Sequence, residues 1–168
     1  MKTMQKFLSE DFLLSNEAGR ELYHDYAAGM PIFDYHNHLV PRQIAEDTKF
    51  ENLAQVWLRG DHYKWRAMRA LGVEERYITG DATDYEKYLA WARAVPYTMG
   101  NVLYPWTHME LKNPFGINDR LLGPETAEEI WKTPGQLLSR DDFSVCSLIR
   151  RMNARVMCTT DDPTDTLE

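Results

Sequence analysis

Long apolar runs are missing from this sequence, and so are glycine-rich phosphate loops and any serine or cysteine set in a nucleophile motif. The first absence excludes a membrane-spanning helix, the second the usual nucleotide cradle, the third covalent catalysis through a strained hydroxyl or thiol. Basic residues are also short, 19 Lys and Arg against 26 Asp and Glu, for a formal net charge of −7. A nucleic-acid interface needs a basic patch or stripe, and this balance argues against one. A small anionic substrate stays allowed, because a few arginines reverse the field inside a cleft. The two cysteines, Cys146 and Cys158, lie too far apart for a zinc or redox spacing and read as reduced, partly buried thiols of a cytosolic protein. The N-terminus brings in acids after a very short apolar patch, unlike a secretory signal. The cytoplasm is the expected compartment, with no membrane or nucleic-acid partner. Repeats, low-complexity tracts and flexible linkers are also absent.

What is present is aromatic bulk. The 168 residues amount to roughly one domain. With 43% hydrophobic residues, five Trp and nine Tyr, the chain has enough for a sizeable core and a walled pocket.

Residues 1–30 read as helical and polar. Ser15 is the expected N-cap of a helix over residues 16–28, with Glu17 in its first turn and Gly29 near its stop. Leu22, Tyr23, Tyr26 and Ala27 form its expected packed stripe. A strand follows at 31–36, mixed rather than alternating, as in a strand covered on both faces. From 41 the chain turns helical. Ile44, Leu53, Val56, Trp57 and Leu58 mark one amphipathic segment. Residues 61–71 mark a second, stopped by Gly72. Residues 85–95 mark a third, capped by Thr83 or Asp84 and broken by Pro96. Pro105, Pro114, Gly116, Gly123, Pro124 and Pro134 then predict a loop-rich region with a short helix near 127–131. Asp141 and Asp142 open a further helix to about Met152, and a last strand covers 155–159. Two strands separated by this much helix fit a βαβ crossover enlarged by a helical insertion. Two parallel strands cannot make a barrel or a comfortable sheet. They are expected either to complete a sheet with another copy or to belong to something longer.

The most informative segment is Phe33-Asp34-Tyr35-His36-Asn37-His38-Leu39. Residues two apart on a strand point to the same side, so His36 and His38 can present both imidazoles to one point. Neutral imidazole is among the commonest ligands of zinc and related divalent ions. The alternative is a pair of ordinary loop histidines. In 61–69, His62, Arg66 and Arg69 share a helical face beside large aromatics, and a guanidinium recognises a carboxylate with two parallel hydrogen bonds. The alternative is a solvated outer face with Tyr63, Trp65 and Met68 packed inward. His108 and Glu110 also stand among aromatics, and His108 is expected to bond a loop backbone rather than a substrate. Asp161 and Asp162 follow the last strand, where they could bind a metal, fix a neighbouring histidine, or cap the next helix. Capping is the preferred reading for Asp162.

Four segments together carry a family resemblance: 33–39, Gly60-Asp61-His62-Tyr63-Lys64-Trp65-Arg66, Trp106-Thr107-His108-Met109-Glu110-Leu111 with Phe115-Gly116-Ile117, and Cys158-Thr159-Thr160-Asp161-Asp162-Pro163. The stretch 124–131 agrees with them. Nearly the whole chain resembles the N-terminal part of the uronate isomerase (glucuronate isomerase) family of the amidohydrolase superfamily. The resemblance implies an α/β fold, the first two strands of a distorted TIM (β/α)8 barrel with a large helical insertion after strand one. The expected division is 1–42, 43–140 for the insertion, and 141–168. It implies aldose–ketose isomerisation of D-glucuronate to D-fructuronate and of D-galacturonate to D-tagaturonate, with His36 and His38 as the strand-one metal ligands and Zn2+ the expected ion. His62, Tyr63 and Arg66 would contact the uronate substrate. A catalytic aspartate of the last barrel strand has no counterpart in these residues, so the isolated chain is expected to be inactive. A non-catalytic remnant, a self-associating binding module forming a homo-oligomer, and another metal-dependent amidohydrolase are the alternatives.

Overall fold

In the computed structural model, which describes residues 7–164, two strands from opposite ends of the sequence lie side by side. β1 (Ile32–Asn37) pairs in parallel with β2 (Ala154–Thr159). The helices in chain order are α1 (Glu17–Glu21), α2 (Pro41–Ala45), α3 (Leu53–Leu58), α4 (His62–Ala70), α5 (Asp84–Ala94), α6 (Leu103–Lys112), α7 (Ala127–Leu138) and α8 (Val145–Arg151). The chain forms two units. One runs to Lys49 and resumes at Asp141; the other is Phe50–Arg140. The expected helical character of residues 1–6 and the end of the chain beyond 164 lie outside the described residues.

The first unit is built around the strand pair. Its register aligns Ile32 with Ala154, Asp34 with Met157 and Asn37 with Thr159, with irregularities between Ile32 and Phe33 and between Asp34 and Asn37. Asn153, in the left-handed region at φ 55, fixes where both strands begin. Its carbonyl accepts from Ile32 N at 2.9 Å and its side-chain amide donates to Met30 O at 3.2 Å. Ser144 caps α8 by accepting from Ser147 N, and Arg150 and Arg151 sit in the last turn, where the helix dipole favours cations. Asp47 Oδ1 accepts from Cys146 N at 2.9 Å, and that hydrogen bond is the main reason its carboxyl lies below the usual range. Both cysteines are free thiols; Cys146 is half-buried, whereas Cys158 is exposed rather than partly buried.

Two expectations for this unit need correction. Asn16, not Ser15, caps α1, because Asn16 holds the extended backbone from which its Oδ1 reaches Gly19 N at 2.8 Å. The expected packed stripe is exposed at Leu22, Tyr23, Tyr26 and Ala27. After α1 the backbone widens into a π turn over Leu22–Ala27, closed by Ala28 N donating to Tyr23 O, so the helical spacing assumed for the stripe is lost.

The second unit carries the core. Leu53, Met68, Tyr88, Trp91, Leu111 and Leu138 are all fully buried. Tyr88 packs its ring centroid 4.7 Å from Trp131 and donates its hydroxyl to Ala127 O at 2.9 Å. Burial holds the Tyr88 phenol well above the usual range. Thr83 and Glu86 close a reciprocal capping box on α5, and Gly72 at φ 76 ends α4 with Val73 N bonded back to Met68 O.

The loop-rich expectation for the following region fails at two prolines. Pro105 occupies the first turn of α6, where an N–H has no helical partner to lose. Pro134 lies inside α7, which runs on to Leu138 because Ala127, Ile130, Pro134 and Leu138 bury one continuous face. The helix expected from Asp141 begins instead as a 3-10 turn, Asp141–Phe143, before α8. Among the described residues no helix is long and apolar enough to cross a membrane.

Candidate functional site

In the first unit, β1 brings His36 and His38 together. Their rings meet edge to face with centroids 5.0 Å apart, and both residues are exposed. The backbone around them is fixed from two directions. Asn37 O accepts from both the N–H and the hydroxyl of Thr160, at 3.0 and 2.8 Å, which ties the end of β1 to the loop after β2. Asp34 Oδ1 accepts from His36 N at 3.3 Å, and Asn37 Oδ1 accepts from Leu39 N at 3.1 Å. Thr160 Oγ1 also lies 3.5 Å from His36 Nδ1, the long limit of a hydrogen bond. The Asn37 side-chain N–H group is buried with no hydrogen-bond partner.

The aspartates after β2 divide. Asp161 Oδ2 accepts from the Thr159 hydroxyl at 2.7 Å. Asp162 Oδ1 accepts the hydroxyl and the N–H of Thr164, which hold its carboxyl below the usual range. That turn has the form of a cap, and any helix it would start lies outside the described residues. Among the described residues no group of three or more His, Cys, Asp or Glu side chains is placed to hold a metal. The donor set is therefore two adjacent imidazoles. In chemistry and spacing they fit part of a zinc-type site, which normally takes at least three protein ligands.

In the second unit, Asp61 starts α4 and the helix presents His62, Tyr63 and Arg66 to solvent. The His62 and Tyr63 rings lie 4.3 Å apart by centroids, and the Arg66 guanidinium lies over the Tyr63 ring at 5.8 Å. Arg69, expected on the same face, is committed elsewhere. It forms a two-pronged pair with Glu75, Nε–Oε2 2.8 Å and Nη2–Oε1 2.5 Å. That pair, with the Thr79 hydroxyl, brings the Glu75 carboxyl down to about 2.

Sequence reading overlooked Lys64. It is 4% exposed, with Nζ 2.8 Å from Asp61 Oδ2 and 3.5 Å from Glu110 Oε2. Burial raises the Glu110 carboxyl above the usual range, against the pull of Lys64. For Asp61 burial pushes upward too, but the Lys64 hydrogen bond and charge, with the N–H groups of Lys64 and Tyr63, win and lower it. The Asp61–Lys64 spacing was visible as an i, i+3 pair; Glu110, on another helix, was not. Tyr63 and Trp65 also depart from the inward-packed alternative, since Tyr63 is exposed and Trp65 half-buried with its indole N–H on Leu58 O at 2.7 Å. His108 is a buried structural residue, as expected: Nδ1 pairs with Tyr104 O at 2.7 Å and Nε2 accepts from Leu122 N at 3.0 Å.

Comparison with known proteins extends these local findings. Residues 4–168 match the model of the glucuronate isomerase family. The uronate isomerase of Serratia proteamaculans (strain 568) is 60% identical over 164 residues, covering 98% of this chain and 35% of the relative. The uronate isomerase of Yersinia enterocolitica is 58% identical over the same length and shares. The crystal structure of uronate isomerase from Thermotoga maritima superposes with a TM-score of 0.89 at 41% identity, covering 96% of this chain and 35% of that one. Glucuronate isomerase from Caulobacter crescentus gives a TM-score of 0.83 at 24% identity, which speaks to the fold alone. The chain thus spans about a third of the length of these relatives, their N-terminal 35%.

Proposed function

Because this chain belongs to the glucuronate isomerase family, we propose that it supplies the first metal ligands and a sugar-contact segment of a hexuronate aldose–ketose isomerase. The reaction is D-glucuronate to D-fructuronate and D-galacturonate to D-tagaturonate, on a small cytoplasmic substrate. The observation that carries the reading is the His36–His38 pair, two imidazoles 5.0 Å apart at the end of a parallel strand and pinned through Thr160 to the loop after its neighbour. β1 and β2 are read as the first two strands of a distorted (β/α)8 barrel, whose active sites lie at the C-terminal ends of strands. The separate helical unit Phe50–Arg140, interrupting the crossover between them, supports an insertion over most of 43–140, with residues up to Lys49 belonging to the unit of the strands.

The chemistry is a proton moved between adjacent carbons. The C2–H proton leaves, C1 gains one, the C1 aldehyde becomes a hydroxymethyl group and the C2 hydroxyl becomes a ketone, with no net oxidation. His36 and His38 would hold the metal, zinc by the preference of such donors, which when bound supplies Lewis-acid stabilisation of developing oxyanion charge. Contact between Thr160 and Nδ1 of His36 would leave Nε2 as the ligating atom. Arg66 offers the planar fork suited to the uronate carboxylate, and His62 and Tyr63 offer donors to sugar hydroxyls. The base that moves the proton is not among these residues, so the isolated chain is expected to be inactive.

The test is D-glucuronate in deuterated water with zinc, followed by NMR for ketose and for deuterium at the carbon receiving the proton. The 168-residue chain alone should give no ketose above a protein-free control. A fusion to the remaining two-thirds of the Serratia proteamaculans relative should turn over, and His36→Ala or His38→Ala should abolish that. Turnover by the chain alone, or a fusion indifferent to both substitutions, would overturn the reading.

A further inference from the structure

The first turn of a helix is its least self-supporting part, because its leading N–H groups have no helical partner. His62 and Tyr63 stand on such a turn, at the start of α4, and both are exposed. Their rings touch each other, 4.3 Å apart by centroids, but neither is enclosed by the rest of the unit. Groups that are to meet a ligand from such a turn need something else to aim them.

What holds the turn is ionic and lies beneath it. Lys64 is 4% exposed, an unusual place for an ammonium. Its Nζ bonds Asp61 Oδ2 at 2.8 Å within the turn and reaches Glu110 Oε2, on α6, at 3.5 Å. Glu110 Oε2 is itself buried, with no hydrogen-bond partner among the described residues. Two carboxylates thus share one ammonium. Such a cluster is a poor device for stability. Removing one partner is costly, yet exchanging a whole buried ionic group for uncharged side chains of similar size is often neutral or stabilising. Methionine at 64 would bury a similar stem, and asparagine at 61 would still cap the helix. What neither supplies is direction. An ammonium tied to a carboxylate of its own turn and drawn to another on α6 fixes how α4 is rotated about its axis, and with it where His62, Tyr63 and Arg66 face.

We infer that Lys64, Asp61 and Glu110 are positioning residues, which set the orientation in which His62, Tyr63 and Arg66 meet a ligand without touching it themselves. That the ligand is a uronate rests on the reading of the preceding subsection. That the buried cluster aims the turn rests on its own geometry.

The decisive variant exchanges the whole cluster, Asp61→Asn with Lys64→Met and Glu110→Gln, so that no carboxylate is left without its counter-charge. Two readouts separate aim from stability. In the 168-residue chain, proton NMR follows the displacement of the His62 ring protons by the ring current of Tyr63, beside urea unfolding. In the fusion to the Serratia proteamaculans segment, initial rates give kcat and KM for D-glucuronate. The variant should unfold near the parent's midpoint and lose the His62 displacement. Its KM should rise on the order of tenfold with kcat within about twofold, the pattern of lost binding rather than lost chemistry. A His62 displacement that survives overturns the inference, whatever KM does. A lost displacement with unchanged KM keeps the positioning and overturns the uronate contact at His62 and Tyr63 instead. A parent fusion without turnover overturns the uronate reading, and the NMR readout then decides the positioning. If the triple variant does not fold, Asp61→Asn alone carries the same measurements, since it keeps the cap and leaves Lys64 facing Glu110. A weakened displacement is expected there, and an unchanged one overturns the inference.

Discussion

Lys64 Nζ lies 2.8 Å from Asp61 Oδ2, and the two residues bracket His62 and Tyr63 on the first turn of α4. Asp61 does two things at once. Its Oδ1 accepts from the N–H groups of Tyr63 and Lys64 to cap the helix, and its Oδ2 holds the buried ammonium. The exposed His62 and Tyr63 are therefore carried on a turn fixed from beneath.

Replacing Lys64 with Met should cost about 2–3 kcal/mol of stability, since Asp61 and Glu110 would then lack their buried counter-charge. The loss is kept below that of a fully buried pair because both carboxylates retain some contact with water. Urea unfolding followed by tryptophan fluorescence measures it. An unchanged midpoint would show that the ammonium contributes nothing.

The two carboxylates should titrate in opposite directions. Carboxyl carbon NMR should place the Glu110 midpoint above 4.5 and the Asp61 midpoint below 3.8. The stability consequences also have opposite signs. Asp61 contributes stability that is present above 3.8 and lost as pH falls through its folded value. The Glu110 carboxylate subtracts stability, fully above its raised folded value and not at all below 4.5. In the Lys64→Met variant both midpoints should move up; a variant that left them in place would remove Lys64 from the account.

His108→Leu should cost about 2 kcal/mol at pH 8, because the buried Leu122 N–H loses its acceptor. Burial lowers the pKa of the folded histidine below 6.5, so the neutral ring is favoured in the native state. Its stabilisation is whole above 6.5 and declines as pH falls from there through the folded value, where the unfolded state alone takes up the proton. The gap between parent and variant should therefore narrow between pH 7 and 5 in thermal or urea unfolding. A gap constant with pH would contradict a neutral buried ring.

Gly80→Ala should destabilise by about 2 kcal/mol, since a Cβ there would stand 2.6 Å from the Arg76 Cα, a backbone atom that cannot turn aside. Gly60→Ala is the contrast. Nothing lies within 4 Å of its Cβ position, and it should stay within about 0.5 kcal/mol of the parent. Paired unfolding curves decide the matter, and equal effects at the two sites would sink the steric explanation.

Features legible in the sequence were those written locally. The strand read at 31–36 is Ile32–Asn37, and the strand read at 155–159 is Ala154–Thr159. Gly72 ends α4 and Thr83 caps α5, because a positive φ and a three-residue capping reach are properties of neighbours in sequence. The His36–His38 approach follows from strand geometry in the same way. Prolines are ambiguous at this level: Pro105 and Pro134 have the local signature of breaks, yet one falls in a first turn and the other on a buried helical face.

By itself, then, the sequence determined where the two strands lie, where α4 stops and α5 starts, that two imidazoles meet at the end of β1, and that the chain has the segments of its family. Tertiary structure alone decided which polar groups are buried and what they hold: Lys64 between Asp61 and Glu110, and His108 between Tyr104 and Leu122. It also decided that the apolar side chains of the first unit lie open while those of the second are enclosed. The reason is physical. Spacing along a strand or helix is set by backbone geometry over a few residues, whereas burial depends on which distant segments come to cover a side chain.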